Sequence, residues 1–292
     1  MGPFKTIVHP LPSDPSGNAH STDLAAYEYE PFSSPNALVF IHGLTAGPHT
    51  TDLTHMQAAI PFEYSIWELR MRSSYSGWGY SSLHNDVQDL ARLVRYLRDD
   101  LKKEKVVLMG ASTGCQDALE YNNHPEQPPR VDGYVLTSPV SDREAAIALW
   151  SPEALTASLL VAKALIDQGK DYATMPKEHV PFFATPVTAA RWWSFAAAAG
   201  AEDYFASDLS DDILAVKFGK LDQPLLILPA EKDEMVPSSV DRQLLFNRWI
   251  AATPKGVVSK LSGFIPDADH VVSSPEARRW LAERVAKFLV GI

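Results

Sequence analysis

Residues 106–114 read Val-Val-Leu-Met-Gly-Ala-Ser-Thr-Gly, a short apolar run that ends in Gly110-x-Ser112-x-Gly114. A buried strand followed by Gly-x-Ser-x-Gly and then a helix is typical of a nucleophile elbow. The turn is so tight that the residues two before and two after the serine crowd each other, and glycine fits there because it has no Cβ. The pattern predicts that the Ser112 hydroxyl lies at the tip of a sheet, facing the first N–H groups of the helix.

The composition sets the broad class. The 292 residues are 46% hydrophobic and 21% charged, which is ordinary for a globular protein. The formal net charge of −10 argues against nucleic acid or an anionic membrane as a partner, because phosphate contacts need clustered Lys and Arg. No apolar stretch approaches the ~18 residues of a membrane span, and Met1–Pro15 has no apolar segment typical of a secretory signal. The single cysteine fits a reducing compartment, so we expect a cytoplasmic protein.

Apolar runs and amphipathic segments alternate along most of the chain. Strands are predicted at Lys5–His9, Leu24–Glu30, Ala37–Ile41, Ser65–Met71, 105–110, Val131–Thr137, 223–229 and Val257–Leu261. Helices are predicted at Leu83–Lys102, 113–123, 238–251 and Pro275–Val290. This alternation indicates an α/β fold with a mostly parallel central sheet flanked by helices. Ligands bind such sheets beyond the carboxyl ends of the strands, where His42, Ser112 and Ser138 fall.

One segment interrupts the alternation. Residues 142–218 contain helical patches and many aromatic residues but no strand-like run. A connection this long between two strands is unusual, so we predict a helical cap over the strand ends, inserted between core segments 1–141 and 219–292. Trp150, Trp192 and Trp193 are candidates for an apolar, substrate-binding entrance as a group, although each of them taken singly fits the core of the cap better.

A serine nucleophile needs a base that takes its proton and a carboxylate that orients the base. In the elbow arrangement these follow in the order Ser, Asp or Glu, His. Asp233 comes just after the strand that ends near Ala230, and His270 lies in the loop before the last helix. We therefore predict Ser112, His270 and Asp233 as the catalytic triad.

Other acids compete for the third position. Glu231 and Glu234 flank Asp233, while Asp267 and Asp269 lie near His270. Asp142 follows the strand after the nucleophile, a position from which a carboxylate could also reach the histidine. Asp233 is the preferred acid and Asp142 is the second choice.

A tetrahedral intermediate needs two N–H donors aimed at its oxyanion. The backbone N–H of Thr113, directly after the nucleophile, is one candidate. The loop after Ala37–Ile41 supplies the other, with Leu44 N–H as the first choice. In that loop Gly43 allows the backbone to approach the substrate, and we expect His42 and Gly43 to lie in the substrate-binding region.

Neither a cysteine nucleophile nor a metal is expected. Cys115 lies one turn behind Ser112 and fits a small buried residue better than a nucleophile. The nine histidines show no His-x-x-x-His or His-Glu-x-x-His spacing. We therefore predict a site without metal or cofactor.

The whole chain resembles an α/β-hydrolase in its His42-Gly43, Gly110-x-Ser112-x-Gly114, Asp233 and His270. Three longer strings, Ser76-Gly-Trp-Gly-Tyr-Ser-Ser-Leu83, Ser112-Thr-Gly-Cys-Gln-Asp117 and Ser138-Pro-Val-Ser-Asp-Arg-Glu144, resemble the fungal and plant family DUF1749. That family includes esterases that open ester bonds in fusarinine-type siderophores. The resemblance implies a Ser–His–Asp esterase but does not define the substrate.

The sequence thus predicts a serine ester hydrolase that works through an acyl-enzyme on a small-molecule ester. The most specific form of this prediction is that the substrate is a hydroxamate-siderophore ester. Acyl transfer, thioesterase and lactonase activities would use the same triad. An alternative outside the enzymes is a protein of the same fold that binds a ligand but does not convert it. Such a protein has no need of all three triad residues. Epoxide or haloalkane hydrolysis would need a carboxylate in place of Ser112. The sequence says nothing about the oligomeric state.

Overall fold

A computed structural model describes residues 4–12, 24–198 and 200–292. Seven strands form one sheet: β1 (Thr6–Pro10), β2 (Ala25–Tyr29), β3 (Asn36–Ile41), β4 (Tyr64–Arg70), β5 (Lys105–Ala111), β6 (Gly133–Thr137) and β7 (Leu225–Leu228). Their order across the sheet is β1-β2-β4-β3-β5-β6-β7. The five strands from β4 to β7 are parallel, whereas β2 runs antiparallel to β4 and β1 antiparallel to β2. The predicted α/β fold with a mostly parallel sheet is confirmed.

Helices connect the strands. They are α1 (Thr54–Ala59), α2 (Leu83–Arg95), α3 (Gly114–Asn123), α4 (Asp142–Leu149), α5 (Pro152–Asp167), α6 (Ala189–Ala196), α7 (Asp211–Phe218), α8 (Arg242–Ala252) and α9 (Pro275–Val290). Ser, Thr or Asp side chains cap seven of them by accepting a backbone N–H of the first turn, namely Ser82, Ser141, Ser151, Thr188, Ser210, Asp241 and Ser274. These caps satisfy donors that a helix start leaves unpaired, so the local sequence specifies where these helices begin.

Two apolar clusters cover the two faces of the sheet. One joins the sheet to α2, α3 and α8 and includes Trp67, Leu93 and Trp249. The other packs α1 and α9 against the opposite face through Met56 and Leu281. Every residue of β3, β6 and β7 is buried, as expected for strands covered on both sides.

A third apolar cluster belongs to the segment between β6 and β7. It joins α5 and α6 to the loops around them, and Trp78 packs in the same cluster. Tyr204, Phe205 and Phe218, at the end of the segment, instead pack in the cluster of α2 and α3. The division into core and cap stays a prediction, and the part of 142–218 with its own apolar cluster ends near Ala196.

Two predicted elements differ from the structure. The expected strand Val257–Leu261 is not a strand, and only two isolated bridges, Leu225 to Val258 and Ala230 to Ile265, follow the edge of β7. A turn in which Ser262 N donates to Ser259 O interrupts the ladder between them. The helix expected to reach Lys102 ends at Arg95 and continues as one wider turn, Tyr96–Asp100.

No helix in the part of the chain that the structure describes is long and apolar enough to cross a membrane.

Candidate active site

The elbow after β5 holds Ser112 in a strained backbone conformation. Its φ is +55°, in the left-handed region that residues with a Cβ rarely adopt. A Cβ at Gly110 would lie 2.1 Å from the Gly114 carbonyl oxygen, and one at Gly114 would lie 2.3 Å from the Ile41 carbonyl oxygen. Both positions therefore require glycine, as the sequence predicts for this turn.

The three predicted triad residues lie within hydrogen-bond distance of one another. Ser112 Oγ lies 2.8 Å from His270 Nε2. His270 Nδ1 lies 2.9 Å from Asp233 Oδ2 and 3.0 Å from Asp233 Oδ1. Asp233 is buried, and its Oδ1 also accepts the Met235 N–H at 2.9 Å, which holds the carboxylate in place. This geometry suits proton transfer from the serine to an oriented imidazole.

The competing carboxylates are engaged elsewhere. Asp142, the second choice for the triad acid, accepts from Gln116 Nε2 through Oδ2 at 2.6 Å, whereas His270 Nδ1 lies beside Asp233. Glu234 accepts the backbone N–H of His270, not its ring, at 2.9 Å. Glu231 accepts the Asp267 N–H, and Asp269 accepts the Ser273 N–H and hydroxyl.

Cys115 is fully buried behind the elbow. Its thiol donates to the carbonyl oxygens of Gly110 and Thr137, each at 3.3 Å. Burial raises the pKa of this thiol well above its ordinary value, which disfavours the thiolate that a nucleophile needs. In residues 4–12, 24–198 and 200–292 no group of three or more His, Cys, Asp or Glu is placed to hold a metal ion.

The two predicted oxyanion donors follow β3 and the nucleophile. Among the described residues, neither the Leu44 N–H nor the Thr113 N–H donates to a protein acceptor, so both can donate to a ligand. A Cβ at Gly43 would lie only 2.9 Å from Ser112 Cβ. The loop therefore reaches the nucleophile because Gly43 has no side chain. The assignment of both donors stays a prediction.

A cavity of about 760 Å³ opens on Ser112 and His270. Its wall next to the sheet, α1 and α9 is lined by the apolar side chains of Phe40, Leu53, Met56, Met109, Val272 and Leu281. Its other wall is lined by Val140, Trp150, Phe182, Phe183, Trp192 and Phe195. The nucleophile thus faces an apolar chamber of the size that small-molecule sites have.

Four of the seven predicted binding and oxyanion residues outside the triad line this cavity: Gly43, Leu44, Trp150 and Trp192. Thr113 instead lines a small polar void beside the elbow, so its side chain is not part of the chamber. Trp193 is half-buried outside the lining and packs with the α5–α6 cluster. Its predicted substrate contact is therefore not supported, because its neighbour Trp192 takes the inward position on α6.

His42 does not lie in the cavity, so its predicted place in substrate binding is wrong. The ring is buried, and Nε2 lies 3.2 Å from the Leu69 carbonyl oxygen. Burial lowers the pKa of His42 to about 4, so the ring is neutral at pH 7. This contact joins the end of β3 to the end of β4.

Sequence reasoning missed the residues at the edge of the chamber, among them Met56, Phe182 and Leu281. Apolar side chains at these positions have the same local pattern as core residues. Their contact with the cavity depends on how α1, α9 and the 177–186 loop meet above the sheet.

A mostly parallel sheet with a serine at a β5–α3 elbow, an acid after β7 and a histidine before the last helix defines the α/β-hydrolase class. Solved structures agree with this assignment. A protein described as an α/β-hydrolase fold protein of unknown function shares the fold at a TM-score of 0.73 and 18% identity, over 100% of this chain and 97% of that one.

The chain belongs to the family described as "Protein of unknown function (DUF1749)", which matches residues 8–290. The fusarinine C esterase of Aspergillus fumigatus is 31% identical over 339 residues, covering 94% of this chain and 95% of that protein. An esterase of Emericella nidulans is 29% identical over 92% of this chain and 90% of its own length. The siderophore hydrolase EstB from Aspergillus fumigatus superposes at a TM-score of 0.80 with 27% identity, over 99% of this chain and 98% of that one.

Proposed function

We propose that this protein is a serine hydrolase of carboxylic esters. The observation that carries the proposal is the continuous hydrogen-bonded chain from Ser112 Oγ through His270 to the buried carboxylate of Asp233. The esterase names of its relatives support the same reaction class. Substrates enter the apolar cavity and present an ester carbonyl to Ser112.

The reaction proceeds in two halves. His270 Nε2 takes the proton of Ser112 as Oγ bonds to the carbonyl carbon, and Asp233 stabilises the resulting imidazolium. The Leu44 and Thr113 N–H groups donate to the oxyanion. Collapse of the intermediate breaks the bond to the alcohol oxygen, which leaves with the proton from His270. Water, deprotonated by His270, then releases the acid from the acyl-enzyme and the proton returns to Ser112.

The substrate we infer is an ester of a hydroxamate siderophore or a similarly bulky molecule. Two observations support it: relatives are named for fusarinine C and siderophore hydrolysis, and the chamber holds about 760 Å³. The apolar walls and the net charge of −10 favour such a small molecule over nucleic acid. The reducing compartment indicated by a lone buried cysteine makes the cytoplasm the proposed location.

The test is a panel of p-nitrophenyl esters from acetate to decanoate, together with covalent labelling by a fluorophosphonate. We expect turnover and labelling in the native chain and loss of both in Ser112→Ala. Cys115→Ala is the matched control, since it removes the nearby buried thiol and should keep labelling and turnover. Loss of labelling in the cysteine variant alone would overturn the serine mechanism.

The remaining outcomes separate the rival functions. Labelling of Ser112 without release of p-nitrophenol from any ester would indicate a narrow substrate, and a siderophore ester then becomes the next substrate to assay. Faster release on addition of an alcohol or amine acceptor would indicate acyl transfer. A folded protein with neither labelling nor turnover would overturn the hydrolase and favour a ligand-binding protein.

A further inference from the structure

The loop that carries the predicted oxyanion donor Leu44 has little regular structure of its own. We call residues 43–50 the oxyanion loop. It consists of two consecutive turns, 43–46 and 47–50, which are closed by backbone hydrogen bonds of 3.1 Å and 3.2 Å. A segment with so few internal hydrogen bonds opens easily. The direction of the Leu44 N–H therefore depends on what holds the loop from outside.

Tyr75 contacts the oxyanion loop where its two turns meet. The Tyr75 N–H donates to the Ala46 carbonyl oxygen at 2.9 Å, and the Tyr75 hydroxyl donates to the Pro48 carbonyl oxygen at 2.6 Å. Between these two bonds the ring lies against Gly47, where a Cβ would come within 2.4, 2.5 and 2.7 Å of three ring carbons. One residue thus holds three consecutive residues of the loop.

Tyr75 is itself held in place by the segment before it. Its φ is +58°, and a left-handed conformation persists only where the surrounding contacts over-determine it. Arg72 attaches this segment to α2, since its N–H and Nε donate to the two carboxylate oxygens of Asp89 at 2.8 and 2.9 Å. The Ser74 hydroxyl oxygen accepts the Met71 N–H at 2.9 Å. Tyr75 therefore joins the oxyanion loop to a well-anchored part of the molecule.

This contact lies close to the reacting carbonyl. Leu44, Ala46 and Tyr75 line the same cavity as Ser112. The Ala46 N–H closes the turn that contains Leu44, so a shift of Ala46 also turns the Leu44 N–H. An oxyanion donor works only at about 2.7–3.1 Å from the oxyanion, so a small displacement is enough to weaken it.

We propose that Tyr75 is a positioning residue, which holds Ala46, Gly47 and Pro48 so that the Leu44 N–H points at the oxyanion of the tetrahedral intermediate. This inference rests on the proposed function. The Tyr75 hydroxyl is used by Pro48, so its removal should loosen the loop and leave the binding of unreacted ligands as it is. The effect should therefore fall on the transition state.

The test uses Tyr75→Phe, which removes the hydroxyl and leaves the ring against Gly47. Two inhibitors with the same carbon chain are compared. The carbonyl carbon of 1,1,1-trifluorooctan-2-one bonds to Ser112 Oγ, whose proton goes to His270, and its oxygen becomes an oxyanion. The corresponding alcohol, 1,1,1-trifluorooctan-2-ol, cannot form this adduct.

We expect the Ki of the ketone to rise about tenfold in Tyr75→Phe, with the Ki of the alcohol unchanged. The kcat/KM for p-nitrophenyl butyrate should fall by the same factor as the ketone Ki rises, because both depend on the oxyanion. The change is smaller than the factor of about 10²–10³ for losing a donor outright, since the Leu44 N–H is still present.

Tyr80→Phe is the matched control. Tyr80 ends the short 3₁₀ helix Tyr75–Tyr80 that begins at Tyr75, its side chain is exposed, and its hydroxyl bonds to no residue in the described ranges. Both inhibition constants and kcat/KM should stay as in the native chain. Thermal unfolding of each variant shows that a change in Ki is not a loss of fold.

A double-mutant cycle tests the ring contact. Gly47 does not have a left-handed φ, so alanine is allowed there except that its Cβ must displace the Tyr75 ring. Once the ring is displaced, the hydroxyl no longer reaches Pro48. The double variant Gly47→Ala/Tyr75→Phe should therefore have the ketone Ki of Gly47→Ala alone.

Four results would overturn the proposal. They are an unchanged ketone Ki in Tyr75→Phe, an equal rise for ketone and alcohol, an equal rise in Tyr80→Phe, and single-variant effects that multiply in the double variant. An equal rise for both inhibitors would mean that the hydroxyl binds ligands directly.

Amide hydrogen exchange separates this proposal from the proposed function. The N–H groups of Ala46 and Thr50, which close the two turns, should exchange about tenfold faster in Tyr75→Phe, because the loop has lost one external hydrogen bond. Faster exchange supports the role of Tyr75 in holding the loop even if no ester is hydrolysed, in which case the hydrolase alone fails. Unchanged exchange contradicts that role even if esters are hydrolysed.

Discussion

Ser112 keeps a left-handed φ of +55° because hydrogen bonds on both sides constrain it. Its N–H donates to the Thr137 carbonyl oxygen at 3.0 Å, and its own carbonyl oxygen accepts the Cys115 N–H at 2.9 Å. Backbone strain of this kind costs about 1–3 kcal/mol and persists only where surrounding contacts over-determine it. Here it aims the hydroxyl at His270.

Gly43→Ala, a change at a single residue, should strongly reduce esterase activity without unfolding the protein. The new Cβ would lie 2.9 Å from Ser112 Cβ and 3.2 Å from the Ala111 carbonyl oxygen, so the oxyanion loop must move away. Losing one oxyanion donor costs about 10²–10³ in kcat, and we expect a fall of that order. The measurement is kcat on a p-nitrophenyl ester with thermal unfolding in parallel.

Gly263→Ala is the control for this change, since nothing lies within 4 Å of a Cβ at that position. It should leave kcat as in the native chain. Full activity of Gly43→Ala would contradict the placement of this loop beside the nucleophile.

Asp233→Asn should lower kcat by about 10³–10⁴, because an amide cannot stabilise the imidazolium of His270 and favours the wrong tautomer. Ester turnover over pH 5–9 measures this effect, and the fluorophosphonate labelling rate of Ser112 should fall with it. Near-native kcat in this variant would mean that another acid orients His270.

At the scale of elements, Arg191 attaches α6 to the body of the molecule. Its Nη2 lies 3.2 Å from Glu202 Oε2, and both side chains are almost fully buried. Its guanidinium also lies 4.7 Å from the ring centroid of Trp78. A buried ion pair and an aromatic contact therefore hold the helix that carries Trp192 into the cavity, in addition to its apolar packing against α5.

Arg191→Met should lower the free energy of unfolding by about 3–5 kcal/mol, because it leaves the Glu202 carboxylate buried without its cation. Urea unfolding followed by tryptophan fluorescence measures the loss. Lys163→Met removes an exposed pair with Asp167 on α5 and should cost no more than about 0.5 kcal/mol. Similar losses in the two variants would contradict the structural role of the buried pair.

At the scale of the whole molecule, a buried carboxyl in β4 links stability to pH. Burial raises the pKa of Glu68 to about 7, although the Tyr29 hydroxyl and the His49 N–H donate to its Oε2 at 2.5 and 3.0 Å. Its other oxygen, Oε1, has no partner among the described residues. The folded protein therefore keeps a proton on Glu68 that the unfolded chain releases above its ordinary pKa of 4.5.

Because the folded state binds more protons in this window, the Glu68 contribution to stability is present below pH 4.5 and is lost as pH rises to about 7. Glu68→Gln removes this titration. Relative to the native chain, its free energy of unfolding should rise by about 2–3 kcal/mol between pH 4.5 and 8, measured by urea unfolding.

Glu63→Gln is the control, since Glu63 is an exposed residue directly before the same strand. Its stability relative to the native chain should not vary over this pH range. A constant difference between Glu68→Gln and the native chain would show that Glu68 does not titrate between the two limits.

The sequence by itself determined the class of fold and pointed to Ser112, Asp233 and His270 as candidates for the triad. Period and composition distinguish strands from helices along the chain. A contact within the elbow requires glycine at position 110, whereas the Ile41 carbonyl oxygen of β3 requires it at position 114. Asp233 and His270 could be predicted because parallel strands bring their carboxyl ends to one edge, so chain order alone places the loops together. The strand predicted at Val257–Leu261 does not form, because contacts within a turn determine the backbone conformation there.

Only the tertiary structure decided between candidates with the same local pattern. It separated Asp233, which contacts His270, from Asp142, which contacts Gln116. In the folded protein His42 points away from the cavity, and Trp192 rather than Trp193 lines it. The physical reason is that hydrogen bonds and burial depend on side-chain direction across elements distant in the chain, and no local spacing encodes that direction.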